Sequence, residues 1–181
     1  MISHTKTIGR KIADKLLKTT YTSSGFYYRV DLLKEFFEEV LFVVPRRNLT
    51  IREQISEFLK RRGENQTLID SFLDILEEEY DAITKNTLYP TIEAAKKQME
   101  NIPTFILYVP REFTDEETDR IGQWVRRNIA PDLILSLRIN PESVGGCMFF
   151  WRGVYHDFSF SHFFKKHTEK ISSSIKKAYE H

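Results

Sequence analysis

The sequence predicts an α+β protein: an N-terminal all-helical bundle over residues 1–101, then a small C-terminal α/β domain over 102–181 with a β-hairpin and a final helix. Three observations predict it. Up to about Glu100, apolar residues recur every three or four positions between short polar breaks, the pattern of amphipathic helices packed side by side. At Thr104 the pattern gives way to a continuous apolar run, Thr104-Phe-Ile-Leu-Tyr-Val109, flanked by Pro103 and Pro110 and short enough to be a buried strand. Residues 139–159 are the most heavily punctuated stretch of the chain. Asn140-Pro141, Gly145-Gly146, an apolar run, Arg152-Gly153 and a second short run closing on Asp157 describe a hairpin entered through a sharp bend.

The helices follow in order. Ile8, Ile12, Ala13, Leu16 and Leu17 predict a short first helix over Thr7–Lys18, and Thr19–Gly25 is a polar break. Val30, Leu33, Phe37, Val40, Leu41 and Val44 form the stripe of a second, from Phe26 to Val44, which Pro45 ends. Thr50 and Glu53 have capping-box spacing, so a third helix starts there, buries Ile51, Ile55, Phe58 and Leu59, and stops near Gly63. Leu68, Phe72, Leu76, Tyr80 and Ile83 mark a fourth over Gln66–Ile83. Pro90 suits the first turn of a fifth that carries Ile92, Ala95 and Met99.

In the second half, Thr114 and Glu117 make another capping box, followed by a helix with Ile121, Trp124, Val125 and Ile129 on its apolar face. Leu133, Leu135, Leu137 and Ile139 alternate with Ile134, Ser136 and Arg138, which predicts a strand with one buried face, parallel to the first through the intervening helix. Gly145 and Gly146 can take positive φ and let another backbone pass close, and Gly153 suits the tight reversal. Asp157 and Ser159 are placed to offer oxygens to the first free amides of the final helix. That helix carries Phe160, Phe164, His167, Ile171, Ile175 and Ala178 along one stripe.

Composition narrows the function. With 41% hydrophobic and 29% charged residues, the 181-residue chain is an ordinary globular protein, large enough to bury a core. A net charge of +1 argues against nucleic-acid binding, and the clusters Arg46-Arg47, Lys60-Arg61-Arg62, Arg126-Arg127 and Lys176-Lys177 read as scattered solvated helix faces. One cysteine, Cys147, excludes an internal disulfide, and in an apolar strand it reads as an inert buried thiol. No apolar run approaches the roughly 18 residues a membrane span needs, and Lys6, Arg10 and Lys11 interrupt the N-terminal apolar residues, so a cytosolic protein is expected.

His156 and Asp157 beside Ser159 and Cys147 invite a nucleophile-and-base reading, but adjacent strand residues point to opposite faces, which opposes it. His156, His162 and His167 lack the helical pairing spacing of metal ligands, Glu77-Glu78-Glu79 reads as a solvated face, and no phosphate-binding glycine loop, dinucleotide fingerprint or zinc spacing is present. The cluster Phe149, Phe150, Trp151, Phe158, Phe160, Phe163 and Phe164 is expected to be mostly core, with some rings left as anchors for a partner helix.

Asn140-Pro141, Gly145-Gly146, Gly153, Asp157 and Ser159, in this order and spacing, resemble the C-terminal signature of the delta subunit of F-type ATP synthases, the family of the oligomycin-sensitivity-conferring protein. A helical first half followed by a small α/β half is also that family's layout, and Pro110, Phe113 and Thr114 before acids resemble the stretch between its domains. Two places depart from the pattern. Ser161-His162-Phe163 stand where the family usually has basic residues, and Ile12-Ala13 where relatives often have Tyr-Ala.

The resemblance implies a non-catalytic stator, without cofactor or metal, peripheral on the cytoplasmic face of the membrane through its complex. Its helical domain would grip the N-terminal segments of the catalytic head's alpha subunit, and its C-terminal domain would hold the peripheral-stalk b subunit, with no nucleic acid and no direct membrane insertion. Rotation driven by proton transport is then spent on ATP synthesis. The resemblance places the head contact between the first and fifth helices, around Ile8, Ile12, Leu16, Ile92 and Ala95, residues that serve equally as bundle core. The alternatives are a non-catalytic adaptor of another assembly with this layout and a small hydrolase built on Cys147 or Ser159.

Overall fold

In a computed structural model, which describes residues 2–43 and 49–179, the chain divides into two units, Met1–Ile102 and Pro103–His181. The first unit holds five helices, α1 (Ile2–Thr19), α2 (Ser23–Glu38), α3 (Ile51–Arg61), α4 (Gln66–Glu79) and α5 (Leu88–Gln98). The second holds a four-stranded sheet with two helices, in the order β1 (Thr104–Val109), α6 (Asp115–Asn128), β2 (Ile134–Ile139), β3 (Met148–Trp151), β4 (Val154–Asp157) and α7 (Phe160–Tyr179). The fold is the expected α+β one, helices first and a mixed sheet after.

Local chemistry accounts for where the helices begin. The Thr22 hydroxyl accepts from the Gly25 amide at 3.0 Å, so α2 opens at Ser23, three residues before the expected Phe26. Thr50 and Glu53 close their capping box, with the Thr50 amide donating to Glu53 Oε2 at 2.7 Å and the Glu53 amide to Thr50 Oγ1 at 3.3 Å. Asn65 caps α4 by accepting from the Leu68 amide. The helix ends differ more from expectation. α2 passes into a π-helical turn over Glu39–Val43, and α4 gives way at Tyr80–Ala82 to a 3-10 turn. The stop expected at Val44-Pro45 and the Arg46-Arg47 pair lie outside the described residues.

The core of the first unit centres on Phe26, Phe36, Phe37 and Phe72, with Ile12, Leu16, Leu33, Leu76 and Leu88 fully buried around them. α1 closes the bundle against α5, and Gly9 permits the close approach: a Cβ there would lie 2.6 Å from both the Ala94 Cβ and the Thr91 carbonyl oxygen. Charged ties join the outer edges. Lys11 meets Glu79 at 3.0 Å, Lys15 meets Glu78 at 2.8 Å and Arg52 meets Glu77 at 3.0 Å. The three glutamates therefore serve three separate interhelical pairs, and Glu79 is buried rather than solvated.

In the second unit the strands run β2-β1-β3-β4. β1 and β2 are parallel, Thr104 opposite Ile134 through Val109 opposite Ile139, while β1–β3 and β3–β4 are antiparallel. Phe105, Leu107 and Val109 pack with Leu133, Leu135 and the α6 residue Val125 to form the core. Two expectations need correction. β2 does not bury one face cleanly, since Ile134 is fully buried and Ile139 is exposed. Alternation fixes which face a side chain takes, whereas burial depends on what covers each end of the strand. Trp124 is 58% exposed rather than buried on the apolar face of α6, because it lies at the border of the stripe that Ile121 and Val125 define.

Candidate interaction surface

The site is assembled by the bend, the hairpin and the start of α7. Asn140 Oδ1 accepts from the Glu142 amide at 3.1 Å and its carbonyl accepts from the Ser143 hydroxyl at 2.9 Å, which fixes the 3-10 turn Pro141–Ser143. The chain leaves that turn through Val144 at φ +62°, not through Gly145. Gly146 takes φ +75°, and a Cβ on it would overlap the Phe158 carbonyl oxygen. Gly145 is small for another reason: a Cβ there would sit 2.6 Å from the Phe160 ring. Backbone pairing carries the hairpin ladder past β4, with the Phe158 amide donating to the Cys147 carbonyl at 2.9 Å and the Phe160 amide to Gly145 at 3.0 Å. The glycine pair is thus a close-packed seat for the entry to α7.

At the other end of the hairpin Arg152 (φ +49°) and Gly153 (φ +79°) form the two-residue reversal expected there. Asp157 and Ser159 divide the capping between them. Ser159 Oγ accepts from the His162 amide at 3.1 Å, while Asp157 Oδ1 accepts from the Ser159 amide at 2.9 Å, one position before the helix proper. Hydrogen bonds from the Ser159 hydroxyl and amide hold the Asp157 carboxyl below its ordinary pKa. Ser161 Oγ donates to the Glu142 carbonyl at 2.7 Å and ties the first turn of α7 back to the bend.

The aromatic cluster is not mostly core. Phe149 and Trp151 are half-buried against Phe105, but Phe150, Phe158, Phe160, Phe163 and Phe164 are each exposed by about half or more. Phe149, His156 and Phe158 stack across the hairpin, with centroids 4.7 Å apart for the first pair and 6.4 Å for the second. Further along α7, His167 and Ile171 are half-buried and Ile175 is exposed, so the expected stripe is present and uncovered over most of its length. The side chain of Ala178 lies outside the described ones. Hydrophobic spacing revealed the stripe, and nothing in the spacing distinguished a covered stripe from an open one.

In the first unit, Ile8, Ile12, Leu16, Ile92 and Ala95 are all buried, each 3% exposed or less. Their side chains fill the α1–α5 contact, and the outward positions of α1 include His4, Lys6, Thr7, Arg10, Lys11, Asp14 and Lys18. Sequence reasoning missed a small exposed patch at the end of α2, where Phe42 stacks on Tyr89 at 6.5 Å with Lys85 over the Phe42 ring. Both rings had appeared in the sequence without helical-stripe spacing, which left no signal to find them.

The residues of the nucleophile-and-base reading are engaged in packing and helix capping. His156 packs beside the Phe149 and Phe158 rings, Ser159 Oγ serves the helix cap, and burial pushes the Cys147 thiol pKa up, away from a reactive thiolate. His162 Nδ1 stands 3.8 Å from Asp157 Oδ2, an ion pair only when the imidazole is protonated. Among the described residues no group of three or more His, Cys, Asp or Glu is placed to hold a metal ion, and no helix is long and apolar enough to cross a membrane. A shallow depression of about 350 Å³ lies along α6 between Phe113, Ile121 and Trp124, rimmed by Glu117 and Arg120. Compared with models of protein families and with curated protein sequences, the chain matches none.

Proposed function

We propose that this chain is a peripheral-stalk subunit of a proton-translocating F-type ATP synthase, a non-catalytic stator that links the catalytic head to the membrane-anchored stalk. The observation that carries the reading is the construction of the C-terminal site. The residues of the delta-family signature are the ones that seat and cap α7: Gly146 against the Phe158 carbonyl, Gly145 against Phe160, Asp157 and Ser159 at the helix start. The helix so held presents an open apolar stripe. A stator needs lasting helix-to-surface contacts and no pocket, metal or nucleotide. In this reading the first unit takes the N-terminal segments of the head's alpha subunit, the second takes the b subunit, and the protein works on the cytoplasmic face of the membrane through its partners.

The test is a calorimetric titration of the full chain with a synthetic peptide of about twenty N-terminal residues of the source organism's own alpha subunit, long enough for a helix of roughly 30 Å. Saturable one-to-one binding is expected. No heat and no binding, with a folded protein and a soluble peptide, would overturn the stator reading and bring forward a non-catalytic adaptor of another assembly.

A further inference from the structure

The two edges of the sheet differ. β4 is four residues long and runs straight into the Asp157–Ser159 cap of α7. β2 is six residues long and pairs only with β1. Ile134 donates its amide to the Pro103 carbonyl at 3.1 Å and Asn140 to that of Val109 at 2.7 Å, so Ile134, Ser136 and Arg138 turn their peptide groups toward β1. Those of Leu133, Leu135, Leu137 and Ile139 therefore point outward. The start of that edge is closed: the Leu133 amide turns back to the Ala130 carbonyl at 3.4 Å, its carbonyl accepts from Arg126 Nε at 2.8 Å, and Leu135 is buried. The end is open. Leu137 is half-buried, Arg138 and Ile139 are exposed, and among the described residues no hydrogen bond reaches the outward N–H and C=O groups of Leu137 and Ile139. Arg138, whose side chain stands on the other face of the sheet, has no ion-pair partner among those residues.

We infer that the Leu137–Ile139 edge takes an extended segment of another chain as an added antiparallel strand, with an acidic residue opposite Arg138 between two apolar ones opposite Leu137 and Ile139. It does not rest on the stator reading, in which the stalk contributes a helix. Outward N–H and C=O groups repeat about every 6.8 Å along a strand edge, a spacing that another extended backbone matches, whereas a helix has its own groups already paired. Antiparallel pairing makes Leu137 and Ile139 the hydrogen-bonded positions and Arg138 the closer, non-hydrogen-bonded one, where opposite charges directly across interact best. The added apolar side chains would lie on the face where Leu137 packs against the core, and would cover Ile139, 52% exposed. A second copy fits worse. With Leu135 buried, the self-pairing that uses both open positions sets Leu137 opposite Ile139 and Arg138 directly opposite the other copy's arginine. Arg138 thus guards the edge against its own copy and suits an acid.

The experiment is fluorescence anisotropy of a labelled synthetic peptide of about ten residues with a central Val-Glu-Val, titrated with the full chain. Saturable binding is expected, and it should be about five-fold weaker for the Val-Lys-Val peptide. Arg138→Glu, at an exposed position where folding is little affected, should reverse that order. N-methylation of both valines, whose amides would face β2, should abolish binding, and N-methylation of the glutamate, whose amide would face away, should leave it. No binding of the Val-Glu-Val peptide, equal binding of the two charge forms, or binding that survives methylation of the valines would each overturn the inference. So would a dimer of the unpartnered chain that the peptide dissociates, since the edge would then belong to a second copy. The alpha-subunit peptide titration reads the first unit, so either test can fail while the other succeeds.

Discussion

At the scale of single residues, the bend before the hairpin holds two backbone conformations with opposite consequences. Gly146 combines φ +75° with a Phe158 carbonyl that leaves no room for a Cβ. Gly146→Ala is therefore expected to cost about 3 kcal/mol or more, strain and overlap together. Gly153 has a similar φ of +79° and open space around it, so Gly153→Ala should cost only about 1 kcal/mol. Val144, β-branched at φ +62° and 71% exposed, carries strain with little packing to hold it, and Val144→Gly should stabilise by about 1 kcal/mol. Urea unfolding of the three variants checks the order. Equal losses for the two alanines, or a destabilised Val144→Gly, would show that the bend is not held as described. The sequence marked both glycines of the pair as candidates for positive φ, but only one takes it. Spacing shows that a chain must turn, and the particular residue that absorbs the turn is set by what packs on each Cα.

At the scale of elements, the helix starts marked by a capping box were legible, whereas α1 begins at Ile2, five residues before the expected Thr7, and α2 begins three before its expected Phe26. Helix ends and burial were not written in the spacing. Thr50-Glu53 and Thr114-Glu117 each close the reciprocal pair their spacing announces, since a capping box is made entirely by residues three apart. α2 becomes π-helical at Glu39 and α4 yields after Glu79 without a spacing in the sequence that marks either place. The start of α7 offers a sharp test. Ser159→Ala removes the acceptor for the His162 amide and should cost about 1 kcal/mol. The Asp157 carboxyl has a folded pKa below its unfolded one, so its contribution is fully present above the unfolded value, about 3.9, and is lost as pH falls through the folded value. Wild type should exceed Asp157→Asn in stability at neutral pH, and the difference should shrink as pH falls from the unfolded value, about 3.9, through the lower folded one. A constant difference across that window would mean that the charge of Asp157 plays no part in the cap.

At the scale of the whole molecule, the division into a helical unit and a mixed-sheet unit was written in the change of hydrophobic period at Pro103, because a period of two and a period of 3.6 are properties of the chain itself. Which apolar residues stay open was not written there. Ile8 and Ile12 have the same spacing as Phe160 and Phe164, yet the first pair fills a core and the second is about half exposed. The difference matters for a tether, which must hold two partners at once. Substituting Ile12 with alanine should lower stability by about 3 kcal/mol through a cavity, so a loss of binding there would report unfolding. Substituting Phe164 with serine, on an exposed position, should leave the melting temperature nearly unchanged. If the chain is a stator, that variant should still bind the alpha-subunit peptide and should no longer bridge it to the stalk segment. Sedimentation velocity on the three-component mixture reads this directly: wild type should give a single one-to-one-to-one species, and Phe164→Ser only the complex with the head peptide. A full three-component complex with the variant would place the stalk contact away from α7, since no other change in the chain would account for its survival.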